Sequence, residues 1–353
     1  MKNEYNKISI NDMVIKDSRE KKILRSSWYN YNFYKKDGLF LRWGKNINDD
    51  PLFGLPEIAD IEISDICHGV NNTPCKFCYK SNTPAGHNMS FGTFSKIIDV
   101  LPNSITQVAL GIGDIDANAD LWEISAYCHE KGIIPNITIN GDRLTDYLAG
   151  QLARYMGGIS VSLYDKDITY NAVEKLCGLG HGQVNIHYML SHETYPGAFE
   201  LIEDVVHDKR LDNLHGVIFL SLKQMGRGKS FTPASQAEFE RLIDFALGKG
   251  IRFGFDSCSA HKFLKSIETH PDKERMEKMV EPCESFGMFS LYVNNRGRYF
   301  PCSFAEKAHP DFMDGIDLLS ISDFIEECWN SELIREWRNK MIKSNRVCPL
   351  YNI

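Results

Sequence analysis

Three cysteines stand close together in the segment Cys67-His68-Gly69-Val70-Asn71-Asn72-Thr73-Pro74-Cys75-Lys76-Phe77-Cys78-Tyr79. Three thiolates from one turn-rich loop can bind three irons of a cubane [4Fe–4S] cluster, leaving the fourth iron open to a substrate or cofactor. The same residues suit other chemistry. Cys75 and Cys78 alone make a redox pair or half a zinc site, and all three can join a distant fourth ligand around a structural zinc. Four further cysteines, Cys258, Cys283, Cys302 and Cys348, are spread over the C-terminal part of the chain, and the first group and these four account for most of the ten in the sequence. The amino terminus, Met1–Lys7, lacks the apolar core of a signal peptide, and no run is long and apolar enough to span a membrane. The expectation is a cytoplasmic protein with no membrane partner, where ten cysteines point to metal ligation rather than a disulfide framework.

The elements that must position these thiols follow from periodicity. Ahead of Cys67 lies the alternating run Ile58-Ala59-Asp60-Ile61-Glu62-Ile63, a strand with one buried face. Strand patterns recur at Gln107–Leu110, Pro135–Ile139, Gly158–Leu163, Gln183–Met189 and Val217–Leu222. Helical patterns alternate with them at Phe91–Leu101, Ala119–Lys131, Leu144–Tyr155, Thr169–Leu179, Pro196–Val206 and Pro233–Leu247. Alternating strands and helices call for a parallel sheet with helices on its outer face, because right-handed crossovers place them there. With only Ile251–Phe255 as an extra short strand, the expected architecture is α/β, a partial (β/α)6 TIM-like barrel. Its chemistry should gather at the carboxyl ends of the strands, where Cys67 lies.

Residues 1–56 form an N-terminal extension in which Lys36-Asp37-Gly38 separates Trp28–Tyr34 from Leu39–Trp43, the signature of a β-hairpin. Residues 57–256 make the barrel. Residues 257–353 change character and form a small cysteine-bearing domain, with a hairpin of Phe286–Asn294 and Arg298–Phe300 around Asn295-Arg296-Gly297 and a helical stretch at Ile321–Ile342. Cys128, Cys177 and Cys328 fall within helical patterns and read as buried small hydrophobes. At 353 residues, 43% hydrophobic and 25% charged, the composition is that of an ordinary globular protein. A net charge of −7 argues against broad binding to nucleic acid or anionic lipid.

In this order the residues resemble the radical S-adenosylmethionine enzymes, in the subgroup with a SPASM or twitch extension. The family's first motif is Cys-x3-Cys-x2-Cys with an aromatic before the last cysteine. Cys75-Lys76-Phe77-Cys78 is similar to its end, whereas seven residues rather than three separate Cys67 from Cys75. Gly111-Ile112-Gly113-Asp114 resembles the family's Gly-Gly-Glu turn, Ile139-Asn140-Gly141 its Thr-Asn-Gly strand end, and Met225-Gly226-Arg227-Gly228 its Pro-x-Gly-Arg-Gly stretch. Thirteen residues separate Cys283 from Gly297 and four more precede Cys302, as in the SPASM/twitch hairpin.

The resemblance implies a [4Fe–4S] cluster on Cys67, Cys75 and Cys78, and S-adenosylmethionine held by Phe77, Tyr79, Gly111, Gly113, Asp114, Asn140, Ser160, Ser162 and His187. It also implies one auxiliary [4Fe–4S] cluster on Cys258, Cys283, Cys302 and Cys348, since the run of closely spaced cysteines that marks a second one is lacking. The reaction it implies is reductive cleavage of S-adenosylmethionine to methionine and a 5′-deoxyadenosyl radical that removes hydrogen from a peptide or protein side chain. An electron donor such as a flavodoxin or ferredoxin would supply the reducing equivalent. Two other readings compete. One is oxidation of a small sugar-like or amino-acid substrate, with Asp256 as base, and the other is a non-catalytic zinc-stabilised binding module.

Overall fold

The computed structural model describes residues 13–353; residues 1–12, which include the polar Met1–Lys7 stretch, lie outside the described residues. The described chain opens with an antiparallel sheet of four strands in sequence order, β1 (Val14–Asp17), β2 (Lys21–Arg25), β3 (Asn30–Tyr34) and β4 (Phe40–Trp43). The hairpin expected around Asp37-Gly38 is β3–β4, closed by the Tyr34 N–H donating to the Leu39 carbonyl (2.8 Å) with Gly38 at φ +70°. Two further strands extend it. Alternation across β2 and β3 buries Leu24, Tyr31 and Phe33 completely, so the sheet has one apolar face to cover.

That face covers the bottom of the barrel. The Lys22 ammonium donates to the Ile105 carbonyl (2.7 Å), just before the second barrel strand. The Tyr31 and Thr106 hydroxyls share a hydrogen bond (3.3 Å), and Gln183, before the fifth, donates to the Asp37 carbonyl. Arg42, with its side chain 2% exposed, forks onto Glu57 through Nε (2.9 Å) and Nη2 (2.6 Å), and Tyr29 donates to the same carboxylate. The extension is therefore a floor under the strands' amino ends, away from the cysteine loop.

The barrel follows as six strand–helix units: β5 (Ile58–Glu62), α1 (Phe91–Val100), β6 (Gln107–Gly111), α2 (Leu121–Glu130), β7 (Ile134–Ile139), α3 (Asp146–Tyr155), β8 (Ile159–Ser162), α4 (Lys166–Gly178), β9 (Val184–Leu190), α5 (Tyr195–His207), β10 (Gly216–Ser221) and α6 (Gln236–Lys249). A short β11 (Phe253–Phe255) pairs in parallel with β10 as a seventh strand. Helix starts carry their signals. Ser90, Thr145 and Asp165 accept N–H bonds as N-caps, and Ser235 with Glu238 forms a capping box.

The chain then passes through α7 (Ala260–Ser266) and α8 (Lys273–Glu277) to β12 (Ser290–Val293), β13 (Arg298–Phe300) and β14 (Ile316–Asp317). β12 pairs in parallel with β5, and β13 and β14 add antiparallel, so one sheet runs β11-β10-β9-β8-β7-β6-β5-β12-β13-β14. The C-terminal hairpin thus grows from the barrel's own first strand. The helical stretch expected over Ile321–Ile342 is divided: a π-turn at Ile325–Trp329 ends at Asn330, and α9 (Glu332–Lys343) starts afresh with Ser331 as N-cap. The break follows from tertiary packing, with fully buried Trp329 donating its indole N–H to the Gly54 carbonyl (3.0 Å). Cys128 and Cys328 are buried as expected, whereas Cys177 is only half-buried and donates to the Asn213 carbonyl (3.4 Å). Among the described residues no helix is long and apolar enough to cross a membrane.

Candidate active site

Along each barrel strand the outward residues are buried under helices, as with Ile137, Ile139, Val161, Ile186 and Phe219. The inward residues are mostly small or polar and only partly covered, Thr138 on β7, Ser160 and Ser162 on β8, Asn185 and His187 on β9, with Met189 the apolar exception. The register aligns Glu62, Gly111, Thr138, Ser160 and Asn185 in one layer, and Ser162 beside His187 in the next. A closed (β/α)8 barrel fills its interior with branched side chains. This one keeps a polar hollow.

Two observations show that the hollow suits a polar guest. Asn185 Oδ1 is buried with no hydrogen-bond partner, a state native proteins rarely leave unrelieved. The His187 imidazole is pulled down to about 4 by burial, against the opposing effect of Asp256, so near neutrality it is an uncharged donor and acceptor.

The cysteine loop closes the top. Cys67 follows β5, and Gly113 lies so near it that a Cβ there would fall 2.1 Å from the Ile66 carbonyl and 2.7 Å from Cys67 Cβ. The seven residues between Cys67 and Cys75 form a miniature hairpin: Val70 pairs with Thr73, and Asn71 (φ +52°) and Asn72 (φ +56°) occupy the turn. It is stapled to the end of β7, with Asn140 donating to the Gly69 carbonyl (3.2 Å) and the Asn71 N–H donating to Asp142 (3.0 Å). Asp114, 3% exposed, accepts from the His68 backbone N–H (3.1 Å), pairs with the His68 ring (2.5 Å) and meets Arg143 (3.3 Å). Its carboxylate is engaged in holding this loop.

The turn after β10 grips the other half of the loop. Gly226 (φ +54°) packs against the Cys78 and Tyr79 carbonyls, where a Cβ would fall within 2.6 Å and 2.3 Å. The Arg227 N–H donates to the Cys78 carbonyl (3.0 Å), and its guanidinium to the carbonyls of Cys75 (2.8 Å) and Asn82 (3.2 Å). By itself the sequence marks this turn as flexible and basic, and in the family resemblance as the Pro-x-Gly-Arg-Gly stretch. Its chemistry is spent on backbone carbonyls of the cysteine segment. In the protein alone, burial pushes the Cys75 thiol up to about 11, with charge at Cys78 and Cys67 adding to the rise. A crowded set of this kind becomes thiolate when a cationic metal centre neutralises it.

The four C-terminal cysteines form a second neighbourhood. Burial raises Cys283 to about 11 and Cys302 to about 12, and each also responds to Cys348. Cys258 is raised by burial well above its ordinary value, with Lys223 opposing and Asp256, Cys283 and Cys302 reinforcing. Arg346, two residues before Cys348, donates to the Cys283 carbonyl (2.8 Å), which ties the tail to the hairpin. The Tyr351 hydroxyl donates to the Phe304 carbonyl (2.8 Å). Among the described residues no three His, Cys, Asp or Glu side chains are disposed to hold a single metal ion. An iron–sulfur cluster spreads its thiolates over several irons, so it asks for a looser set than tetrahedral zinc does.

The two neighbourhoods meet at Tyr79, whose ring packs on Phe304 (4.8 Å between centroids). Phe77 instead faces Tyr164 (5.6 Å) and Phe231 (5.8 Å). A cavity of about 620 Å³ lies on that flank, lined by Cys75, Phe77, Tyr164 and Phe231. On the Tyr79 side a larger one of about 1100 Å³ is lined by Glu62, Lys80, Arg296, Glu306 and Tyr351 among others.

Asp256 is no free base. It forms an ion pair with buried Lys223, and its Oδ1 accepts from the Ser259 hydroxyl (2.6 Å). Sequence reasoning missed Lys223 and Asp60. Asp60 faces the hollow from β5, raised to about 7 by burial and by Glu284 against a hydrogen bond from Ser303. The only sequence signal for it was the acidic residue at alternate positions of an otherwise apolar strand.

At the level of sequence, no family profile and no curated protein matches the chain. In fold the chain is similar to solved structures of SuiB and anSMEcpe. Streptococcus suis SuiB bound to the precursor peptide SuiA superposes with a TM-score of 0.69 at 13% identity, covering 92% of this chain and 90% of that one. SuiB bound to S-adenosylmethionine gives 0.64 at 14% identity, with 94% and 90% covered. The enzyme anSMEcpe, with bound AdoMet and the Cp18Cys peptide, gives 0.55 at 15% identity over 80% and 82%. The likeness covers most of the chain, and it shows the partial-barrel fold.

Proposed function

We propose that the protein is a radical S-adenosylmethionine enzyme that modifies a side chain of a peptide or protein. The observation that carries this reading is the placement of Cys67, Cys75 and Cys78 at the carboxyl end of β5, above a polar hollow in which Asn185 Oδ1 lacks a partner. In this reading the three thiols hold a [4Fe–4S] cluster, and Gly111, Asn140, Ser160, Ser162 and His187, with Phe77 and Tyr79 flanking the loop, line the S-adenosylmethionine site. Cys258, Cys283, Cys302 and Cys348 hold one auxiliary cluster in a domain of residues 257–353. When bound and reduced, the first cluster supplies the electron that cleaves S-adenosylmethionine, giving the radical that takes hydrogen from substrate.

The chain's own residues do the rest. The β7 end and the turn at Gly226–Arg227 hold the loop rigid from two sides, and neutral His187 offers hydrogen bonds without adding charge to the hollow. The cavity of about 1100 Å³ suits a peptide better than a small sugar-like substrate. The peptides in the SuiB and anSMEcpe structures support the same choice of substrate class. A small electron-transfer protein of the flavodoxin or ferredoxin kind would reduce the cluster.

The test is anaerobic reconstitution, followed by reductant, S-adenosylmethionine and peptides encoded beside the gene. Formation of 5′-deoxyadenosine with a mass change on one peptide is expected. Iron-replete protein that forms no 5′-deoxyadenosine would overturn the class, and 5′-deoxyadenosine with no change on any peptide would overturn the substrate.

A further inference from the structure

The N-terminal sheet has a second face, turned away from the barrel. With Leu24 and Phe33 buried inward, alternation and register bring Lys16 of β1, Lys21, Ile23 and Arg25 of β2, Tyr34 of β3 and Trp43 of β4 to the outer side. None of the outer strand positions is acidic. Among the described residues Lys16, Lys21 and Arg25 form no ion pair; Asp17, which alternates to the other side, pairs with Lys35 (2.6 Å) and Lys22 (3.6 Å). Two of the cations rest on rings instead. The Arg25 guanidinium lies 4.8 Å from the Trp43 centroid and donates to Asn32 Oδ1 (2.7 Å), and the Lys21 ammonium lies 6.0 Å from the Tyr34 centroid. Such contacts orient a charge without neutralising it.

The positive charge is local. Residues 1–50 hold eleven Lys and Arg against seven Asp and Glu, whereas the whole chain carries −7. On the face itself Lys16 stands opposite Ile23, so Lys21 and Arg25 are its two diagonal neighbours on β2, each about 7–8 Å away. Alternate side chains of an extended peptide are about 7 Å apart. We infer that this face docks an acidic peptide segment in extended form, with carboxylates at three alternate positions meeting Lys21, Lys16 and Arg25. Nucleic acid matches less well, because three cations neutralise only about three phosphates and the acidic remainder of the chain repels a longer polyanion. The chain's own first twelve residues hold Lys2 and Lys7 against Glu4 and Asp12, so they bring no acidic surplus. The face lies across the sheet from the barrel and the cysteine loop, so the inference stands apart from the chemistry proposed above.

The experiment is fluorescence anisotropy of a labelled threonine peptide carrying glutamate at three alternate positions, titrated with the full chain at low and high salt. Saturable binding that weakens with salt is expected, and a peptide with its three glutamates contiguous should bind less tightly. Lys16→Glu/Lys21→Glu should lose at least about tenfold in affinity, while Lys96→Glu, the same kind of charge change at an exposed position of α1, should lose nothing. If circular dichroism shows the reversed variant unfolded, Lys16→Gln/Lys21→Gln decides, with an expected loss of about threefold or more. No binding at low salt, or binding that these variants leave unchanged, overturns the inference. So does an oligothymidylate of equal length that binds more tightly than the peptide, since the face would then belong to nucleic acid. Binding that appears only after deletion of residues 1–12 would give the face to that segment, and a dimer in sedimentation that the reversed variant dissociates would give it to a second copy; either result overturns the inference.

Discussion

The N-terminal sheet is attached through a buried charge cluster, and its disruption can be worked through. Arg42 is the shared cation for Glu57, Glu284 (2.7 Å) and Glu281 (3.0 Å), and it lies over the Phe289 ring at 3.7 Å. Even beside it, burial raises Glu57 to about 7 from 4.5. The sign follows directly. Between pH 4.5 and about 7 the folded state binds a proton that the unfolded state does not, so stability falls as pH rises through that window. At about 1.4 kcal/mol per unit, the shift corresponds to about 3 kcal/mol lost by pH 8.

Arg42→Met removes the cation and leaves Glu57 buried and uncompensated, a change that costs about 3–5 kcal/mol. The loss should be largest at pH 8 and smaller at pH 5.5, where Glu57 can take up a proton. Urea unfolding followed by circular dichroism at the two pH values reads the difference, and Arg42→Met/Glu57→Gln should recover much of it while flattening the pH dependence. An equal loss at both pH values, or a double variant no better than the single, would refute the assignment of the energy to this buried charge.

Other consequences concern the loop and the hollow. Arg227→Ala removes the guanidinium bonds to the Cys75 and Asn82 carbonyls, each worth about 1.5–3 kcal/mol for a charged donor; iron bound at the first site should fall while the far-ultraviolet spectrum is kept. Gly226→Ala places a Cβ 2.3 Å from the Tyr79 carbonyl, so it should impair metal loading as severely, measured as iron per chain. The pull of His187 down to about 4 means that the unfolded state binds the extra proton between about pH 4 and 6.5; stability should therefore decline as pH falls through 6.5, and His187→Gln should lessen that decline in the same denaturation assay. Asn185→Leu should weaken S-adenosylmethionine binding by calorimetry, since the carbonyl left without a partner is the one a ligand donor would meet.

The repeating strands and helices were legible because each strand carries its apolar outward face and each helix its start signal, as in the Ser235–Glu238 capping box. The cysteines were legible by type and grouping. Other features depend on contacts between distant segments. Local periodicity revealed the β3–β4 hairpin, but the short, charged β1 (Val14-Ile15-Lys16-Asp17) reads as surface until β2 pairs with it. The expected helix over Ile321–Ile342 failed at Asn330–Ser331 because burial of Trp329 overrode periodicity. The resemblance offers Asp114 as an S-adenosylmethionine contact and Asp256 as a base, yet their partners Arg143 and Lys223 come from other loops, and those partners bear on what each carboxylate can do.

The turn after β10 connects these points. Within seven residues it carries Lys223, whose ammonium pairs with Asp256 two residues before Cys258, and Gly226 with Arg227, which grip the carbonyls of Cys75, Cys78 and Tyr79. The same strand end therefore supports both cysteine sets. The Tyr79–Phe304 contact closes the circuit from the opposite side, with the Lys223 ammonium on the Phe304 ring. Because the turn is short and both grips act on backbone or buried charge, one set cannot shift without straining the other. A fold that keeps two cysteine neighbourhoods in fixed relation gains more from one shared rigid turn than from two independent loops.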